Sequence, residues 1–89
     1  MQRKRSRSDI IGDMLTSIRE KGEIKPTHLM YRSNLSHTQM QSYLEELVEK
    51  NFVKKINKSD YEYFTLTPKG YEFLQKLSEM KEFEKTFGL

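Results

Sequence analysis

The hydrophobic periodicity of this chain changes twice, and these changes limit the folds that it can adopt. Apolar residues recur at helical spacing up to Asn51, the run Tyr61–Leu66 is rich in strand-forming residues, and helical spacing resumes after Pro68. The whole pattern occupies 89 residues, which is enough for one domain and too short for two. The order of the segments predicts a mainly α protein with a small β-hairpin.

Start and stop signals define the first two helices. A first helix is expected from Ser8, which can cap it, to Lys21, because Gly22 suits the left-handed conformation that ends helices. Pro26 then opens a short second helix that extends to about Ser33. The segment between them is long enough only for a connector or a brief strand.

A capping box marks the start of the third helix. Ser36 and Gln39 have the S-x-x-Q spacing in which two side chains satisfy free backbone amides. Asn51 is expected to end this helix. The second and third helices, joined by a tight turn, form a helix-turn-helix.

A hairpin and a long helix complete the chain. A polar turn at residues 58–60 separates two strands, and Thr67 and Pro68 cap and open a last helix that runs to about Phe87. A helix-turn-helix followed by a hairpin, the wing, is the winged-helix arrangement. The expected regions are a basic flexible arm at 1–7, a winged helix-turn-helix domain at 8–67 and a C-terminal dimerisation helix at 68–89.

The composition argues against several classes of protein. The chain has no cysteine, which excludes disulfides and thiolate metal sites. It has no apolar run near the ~18 residues of a membrane span, and His28 and His37 lack partners at metal-ligand spacing. No Gly-rich phosphate loop and no nucleophile with a base are recognisable. We expect a cytoplasmic protein that is not an enzyme and needs no cofactor or metal, and we see no sign of a small-molecule ligand or a membrane.

The positive charge is concentrated at the N-terminus. The net charge is +3, and residues 1–7 hold four basic side chains and no acid, whereas the rest of the chain is slightly acidic. A basic arm can track nucleic-acid phosphates, although a short basic tail can equally be a solubilising end.

The third helix is the expected recognition helix. It begins with short polar side chains that can reach base edges in a major groove, and the acids of its second half should point away from phosphates. Arg32 can hold a phosphate or form a surface salt bridge, and the wing lysines can contact the backbone or only protect a strand edge. The predicted DNA-binding residues are Arg3, Lys4, Arg5, Arg7, Arg32, Ser36, His37, Thr38, Gln41, Ser42, Lys54, Lys55 and Lys58.

The last helix has two apolar sides. Tyr71 and Leu74 are expected to anchor it to its own domain, whereas a stripe on the opposite side can pair with a second copy of the chain. Lys76 and Glu84 interrupt the stripe, and the alternative is a monomer whose last helix folds back on the first. The predicted homodimer interface consists of Phe73, Leu77, Met80, Phe83 and Phe87.

Three segments carry a resemblance to a known group of proteins. They are Met30-Tyr31-Arg32-Ser33-Asn34-Leu35-Ser36, Tyr43-Leu44 and Leu66-Thr67-Pro68-Lys69-Gly70. Over about residues 8–83 the chain resembles small archaeal winged-helix proteins of the ten-kilodalton nucleoid-associated type and the archaellum-regulator-like type. The resemblance implies DNA binding through the third helix and the wing, and dimerisation through an antiparallel coiled coil of last helices. The chain departs from the group at His37, where an aromatic residue is expected, and at Asn51, where glycine is expected.

Two functions therefore remain open. The first is double-stranded DNA binding, as a transcriptional regulator or a nucleoid-architectural protein. The alternative is a winged-helix protein–protein interaction module that reads no DNA, because one fold serves both functions. The acidic cluster Glu45, Glu46 and Glu49 favours the second function, and the basic arm and wing lysines favour the first.

Overall fold

Four helices and one hairpin make up the protein in the computed structural model, which describes residues 5–89. The elements are α1 Arg7–Lys21, α2 Pro26–Ser33, α3 His37–Glu49, β1 Val53–Lys58, β2 Tyr61–Leu66 and α4 Pro68–Thr86. The predicted winged helix-turn-helix with a hairpin and a long C-terminal helix is confirmed.

The wing is a short, regular hairpin. β1 and β2 pair in antiparallel orientation, with Val53 opposite Leu66 at its base. Ser59 and Asp60 form the turn and have φ values of 48° and 68°. Two successive residues with positive φ give the turn a twist that matches that of the flanking strands.

The connector between α1 and α2 forms a single antiparallel bridge to the hairpin. The Ile24 amide donates to the Phe64 carbonyl oxygen at 3.0 Å, and the Phe64 amide donates back to the Ile24 carbonyl oxygen at 2.8 Å. The Ile24 side chain is 1% exposed. This bridge fixes the wing to the helical part of the domain.

The hydrophobic core is built around α1. Met14, Leu15 and Ile18 are fully buried, and all three lie on one side of the helix. α2, the hairpin and α4 pack on this helix. The other buried apolar side chains of the core are Ile10, Ile11, Ile24, Leu29, Met40, Leu44, Leu47, Val53, Phe64, Leu66 and Leu74.

The start of α1 differs from the sequence prediction. Ser6, not Ser8, is the N-cap residue: its hydroxyl accepts from the Asp9 amide at 3.1 Å, and the Asp9 carboxylate accepts from the Ser6 amide at 3.1 Å. A capping box needs an acceptor three residues after the cap, and Ser8 has Ile11 at that position. The predicted start at Ser8 is therefore wrong, and Arg7 belongs to the helix rather than to an arm.

Asp9 also connects α1 to α4. The Lys81 ammonium donates a hydrogen bond to the Asp9 carboxylate. This bond, together with those from Ser6, holds the pKa of the Asp9 carboxyl well below its usual value. Asp9 therefore stays ionised to lower pH than an ordinary aspartate, and its carboxylate caps α1 and binds α4 at the same time.

A close backbone contact joins the wing to α4. The Thr67 hydroxyl accepts from the Gly70 amide at 2.9 Å and donates to the Asn51 carbonyl oxygen at 2.6 Å. The Thr67 amide donates to the Phe52 carbonyl oxygen at 3.1 Å. Asn51 has a φ of 65°, the left-handed conformation that asparagine tolerates better than most residues.

The cap of α1 can be tested with a pair of serine substitutions. Ser6→Ala should lower the free energy of unfolding by about 1 kcal/mol, because an orphan backbone amide loses its acceptor. Ser8→Ala is the matched control and should lower it by much less. Urea denaturation followed by circular dichroism measures both. A larger loss for Ser8→Ala would mean that α1 starts at the later serine.

The contact at Gly70 can be tested with a pair of glycine substitutions. A Cβ on Gly70 would overlap the Phe52 carbonyl oxygen and lie 3.0 Å from its carbonyl carbon, neither of which can move without shifting the wing. Gly70→Ala should therefore destabilise the domain by roughly 1–3 kcal/mol. Gly12→Ala is the control, since its Cβ would meet only the movable Leu77 Cδ2 at 3.3 Å. Thermal unfolding compares them, and an equal effect of the two substitutions would contradict the contact.

Candidate nucleic-acid interface

The N-terminal half of α3 presents polar side chains on a fixed scaffold. The Ser36 hydroxyl accepts from the Gln39 amide at 3.2 Å and the Gln39 side chain accepts from the Ser36 amide at 3.2 Å, which confirms the predicted capping box. Met40, Leu44 and Leu47 bury the opposite side of the helix. The predicted base-reading residues are all exposed: Ser36, His37, Thr38, Gln41 and Ser42.

Arg5 holds the turn of the helix-turn-helix from outside. Its guanidinium donates to the Ser33 carbonyl oxygen at 2.7 Å and to the Asp13 carboxylate at 2.7 Å. Asn34 ends α2 in the left-handed conformation, with a φ of 54°. A cation at the carbonyl end of a helix stabilises that end. Arg5, expected in a flexible arm, thus contacts α1 and α2.

Arg7 connects α1 to α3. Its guanidinium pairs with the Glu46 carboxylate and lies 5.7 Å from the centre of the Tyr43 ring. Lys50 also donates to Glu46, at 2.9 Å. The hydrogen bonds from Lys50 and Arg7 lower the pKa of the Glu46 carboxyl below its usual value. Two cations surround Glu46, and this distinguishes it from Glu45 and Glu49, the other two acids of the predicted cluster.

Arg32 forms a surface salt bridge, one of the two roles that the sequence allows for it; the other is phosphate binding. Its guanidinium donates to the Glu20 carboxylate at 2.6 Å, which connects α2 to α1. Both side chains remain partly exposed, so a phosphate could still reach the arginine. Arg3 and Lys4 lie outside the described residues.

The three wing lysines are exposed but differ in their surroundings. Lys58 donates to Glu23 at 3.0 Å, and Lys55 lies 3.8 Å from Glu62 on the paired strand. Lys54 forms no ion pair with any residue from 5 to 89, which makes it the wing cation most available to a phosphate.

A groove separates α3 from the wing. His37 and Gln41 border it on the α3 side, and Glu62 borders it on the wing side. Glu45 and Glu49, from the acidic second half of α3, line it as well. No local sequence pattern predicts this groove, because its walls come from elements far apart in the chain and the position of Glu62 depends on the hairpin.

Much of the predicted dimer stripe on α4 is used within the single chain. Leu77 is 7% exposed, and the Phe73 ring stacks on Phe52 with ring centres 4.5 Å apart. Leu74 is buried as expected, whereas Tyr71 is 48% exposed. The stripe residues that remain exposed are Met80, Phe83 and Phe87, at 48%, 58% and 65%.

Residues 5–89 hold no candidate metal site and no candidate membrane span. This part of the chain brings together no group of three His, Cys, Asp or Glu side chains that could hold a metal ion. None of its helices is both long enough and apolar enough to cross a membrane. The surface features that remain to be explained are the exposed start of α3, the wing, the groove and the end of α4.

A comparison with protein families places the chain. A family model described as winged helix-turn-helix matches residues 4–85. The chain belongs to the winged helix-turn-helix family. Two uncharacterised proteins of Methanocaldococcus jannaschii are similar to it, 34% and 36% identical over 77 residues, or 86% of the chain. The chain spans 34% of the length of the first relative and 77% of the second.

Solved structures share the winged-helix fold. Sso10a-2, a DNA-binding protein from Sulfolobus solfataricus, matches with a TM-score of 0.82 and 19% identity, over 93% of this chain and 85% of that one. The transcriptional regulator BldR, also from Sulfolobus solfataricus, matches with a TM-score of 0.74 and 17% identity, over 89% and 60%. A MarR mutant from E. coli, complexed with operator DNA, matches with a TM-score of 0.71 and 21% identity, over 78% and 51%. The predicted resemblance to small archaeal winged-helix proteins is confirmed.

Proposed function

We propose that this protein binds double-stranded DNA, as a transcriptional regulator or nucleoid-architectural protein of the cytoplasm, and has no catalytic activity of its own. The observation that carries the proposal is the exposed polar start of α3 on a winged helix. Side chains such as Gln41 can bond base edges in a major groove, and glutamine can pair with adenine through two hydrogen bonds. The helix is held in place by its cap and by Arg7, so little ordering is required on binding.

The charges on α3 favour insertion by its N-terminal end. Glu45 and Glu49 lie in the second half of the helix, where phosphates would repel them. Glu46 is compensated by Arg7 and Lys50. The related folds support the same partner, since Sso10a-2 is a DNA-binding protein and the MarR mutant is complexed with operator DNA.

The basic residues outside α3 provide contacts to the DNA backbone in this proposal. Lys54, Lys55 and Lys58 lie on the wing, and Arg32 lies at the end of α2. The partners of Lys55, Lys58 and Arg32 are exposed carboxylates, and exposed ion pairs contribute only about 0–1 kcal/mol. A phosphate can therefore replace them at little cost. Arg3 and Lys4 add charge, whereas Arg5 and Arg7 also stabilise the domain.

Recognition of bases by α3 and contact of the wing with DNA phosphates can be separated with two variants. Gln41→Ala should change the preference at one base by roughly 1–3 kcal/mol. Lys54→Ala should weaken binding to every sequence and reduce the slope of log affinity against log salt by about 0.9. Fluorescence anisotropy on labelled duplexes at several salt concentrations measures both effects.

The control for this experiment is Lys85→Ala, which removes one cation from the far end of α4. It should leave the affinity almost unchanged. Wild-type protein that binds no duplex at low salt would contradict the proposal and favour the protein–protein module.

We also infer that the protein is a homodimer through the end of α4. Met80, Phe83 and Phe87 lie on one side of the helix, at a spacing of three and four residues. Full burial of such a side chain contributes about 1.5–3 kcal/mol. Pairing two helices around a two-fold axis would cover three of these side chains on each protomer. It would also hold two recognition helices at a fixed distance, as successive major grooves require.

The dimer can be tested by sedimentation. Met80→Lys combined with Phe83→Glu should give a monomer at micromolar concentration, because two charges enter an apolar contact without changing the net charge. Glu82→Lys combined with Lys85→Glu is the control, since it exchanges two exposed charges beside the stripe at the same net charge. A monomeric wild type, or a dimeric stripe variant, would contradict the inference.

A further inference from the structure

The groove between α3 and the wing has the volume of a small-molecule site, and its floor is apolar. Its volume is about 430 Å³, within the range of typical ligand pockets. Met40, Leu44 and Phe64 line it, and each is at most 5% exposed, so the floor is the edge of the hydrophobic core. Pro26 and Val48 extend this apolar surface.

The rim of the groove carries an excess of negative charge. Glu45, Glu49 and Glu62 contribute three carboxylates, against the one ammonium of Lys55. Lys55 lies 3.8 Å from Glu62, and both side chains are about half exposed. The chain as a whole has a net charge of +3, so this acidic rim is opposite in sign to the whole protein. A DNA phosphate inside the groove would be repelled by this net negative charge.

We propose that the groove binds a small organic cation with an apolar body, such as a lipophilic ammonium or phosphonium compound. The apolar body would cover the partly exposed Pro26 and Val48, whose contact with water is unfavourable, and would rest on the buried floor at Leu44 and Phe64. The cation would lie at the rim, where unlike charges attract and water still hydrates the carboxylates. The volume is that of a small-molecule site, whereas a stable protein–protein contact needs a much larger surface.

Occupation of the groove has a consequence for DNA binding that rests on the proposed function. His37 and Gln41 border the groove and are also predicted base-reading residues. A ligand beside them would share space with the DNA bases. A bound cation should therefore release the protein from duplex DNA.

Direct binding can be measured without DNA. Tetraphenylphosphonium, titrated into the ¹⁵N-labelled full chain, should give saturable amide shifts centred on Leu44, Glu45 and Phe64. Tetraphenylborate has the same shape and the opposite charge, and it should give no saturable shifts at these residues. Glu45→Gln combined with Glu62→Gln should weaken phosphonium binding by about fivefold or more, since two rim charges are removed.

The matched control removes two carboxylates elsewhere. Glu72→Gln combined with Glu79→Gln changes the net charge equally but lies on exposed positions of α4, and it should leave the phosphonium affinity unchanged. Equal affinity for the borate would overturn the proposal, as would shifts centred on Phe83 and Phe87. Groove shifts that depend on protein concentration without any ligand would also overturn it, because a second copy would then occupy the groove.

A competition experiment tests the link to DNA separately. Phosphonium should lower the duplex affinity of the wild type and of the α4 control at the same concentrations, whereas the rim variant should need about fivefold more phosphonium or more for the same loss. Direct binding without any loss of duplex affinity would overturn the competition. A chain that binds phosphonium but no duplex at all would overturn the proposed function and leave the cation site supported.

Discussion

The burial of one side of α1 is the constraint on which the other elements depend. Met14, Leu15 and Ile18 have no exposed surface, and a chain of 89 residues is too short to form a second hydrophobic core. α2, the hairpin and α4 all pack on this helix. Polar side chains at and just before the start of α1 add further connections, since Arg5 contacts the end of α2, Arg7 reaches α3 and Asp9 binds Lys81 of α4.

This arrangement explains why α3 can present a polar surface without losing its position. Three buried residues fix the inner side of α3, Ser36 fixes its start and Glu46 fixes its second half against Arg7. The exposed residues between these points contribute little to the fold. Binding residues on a rigid helix lose less conformational entropy on binding than residues on a loop. The winged-helix scaffold is suited to recognition for this reason.

Local signals in the sequence predicted most of the elements, and tertiary contacts account for what they missed. The cap of α3, the strand β2 and the start of α4 follow from residues close together in the chain. The prediction placed the cap of α1 at Ser8, although Asp9, three residues after Ser6, is a local signal for a cap at Ser6. The ion pairs of Arg5, Arg7 and Arg32 join residues between 8 and 39 positions apart, and no local pattern indicates them. The burial of Leu77 depends likewise on the path of α4 along α1.

The two departures from the archaeal group have different physical meanings. Asn51 stands where glycine is expected, and its φ of 65° shows that the backbone there keeps the conformation that glycine would adopt. Its carbonyl oxygen accepts from Thr67, so the joint between the wing and α4 is intact and the departure leaves the fold unaffected. His37 departs at an exposed position on the border of the groove. A substitution at position 37 is therefore expected to act on what α3 and the groove bind rather than on how the domain is held together.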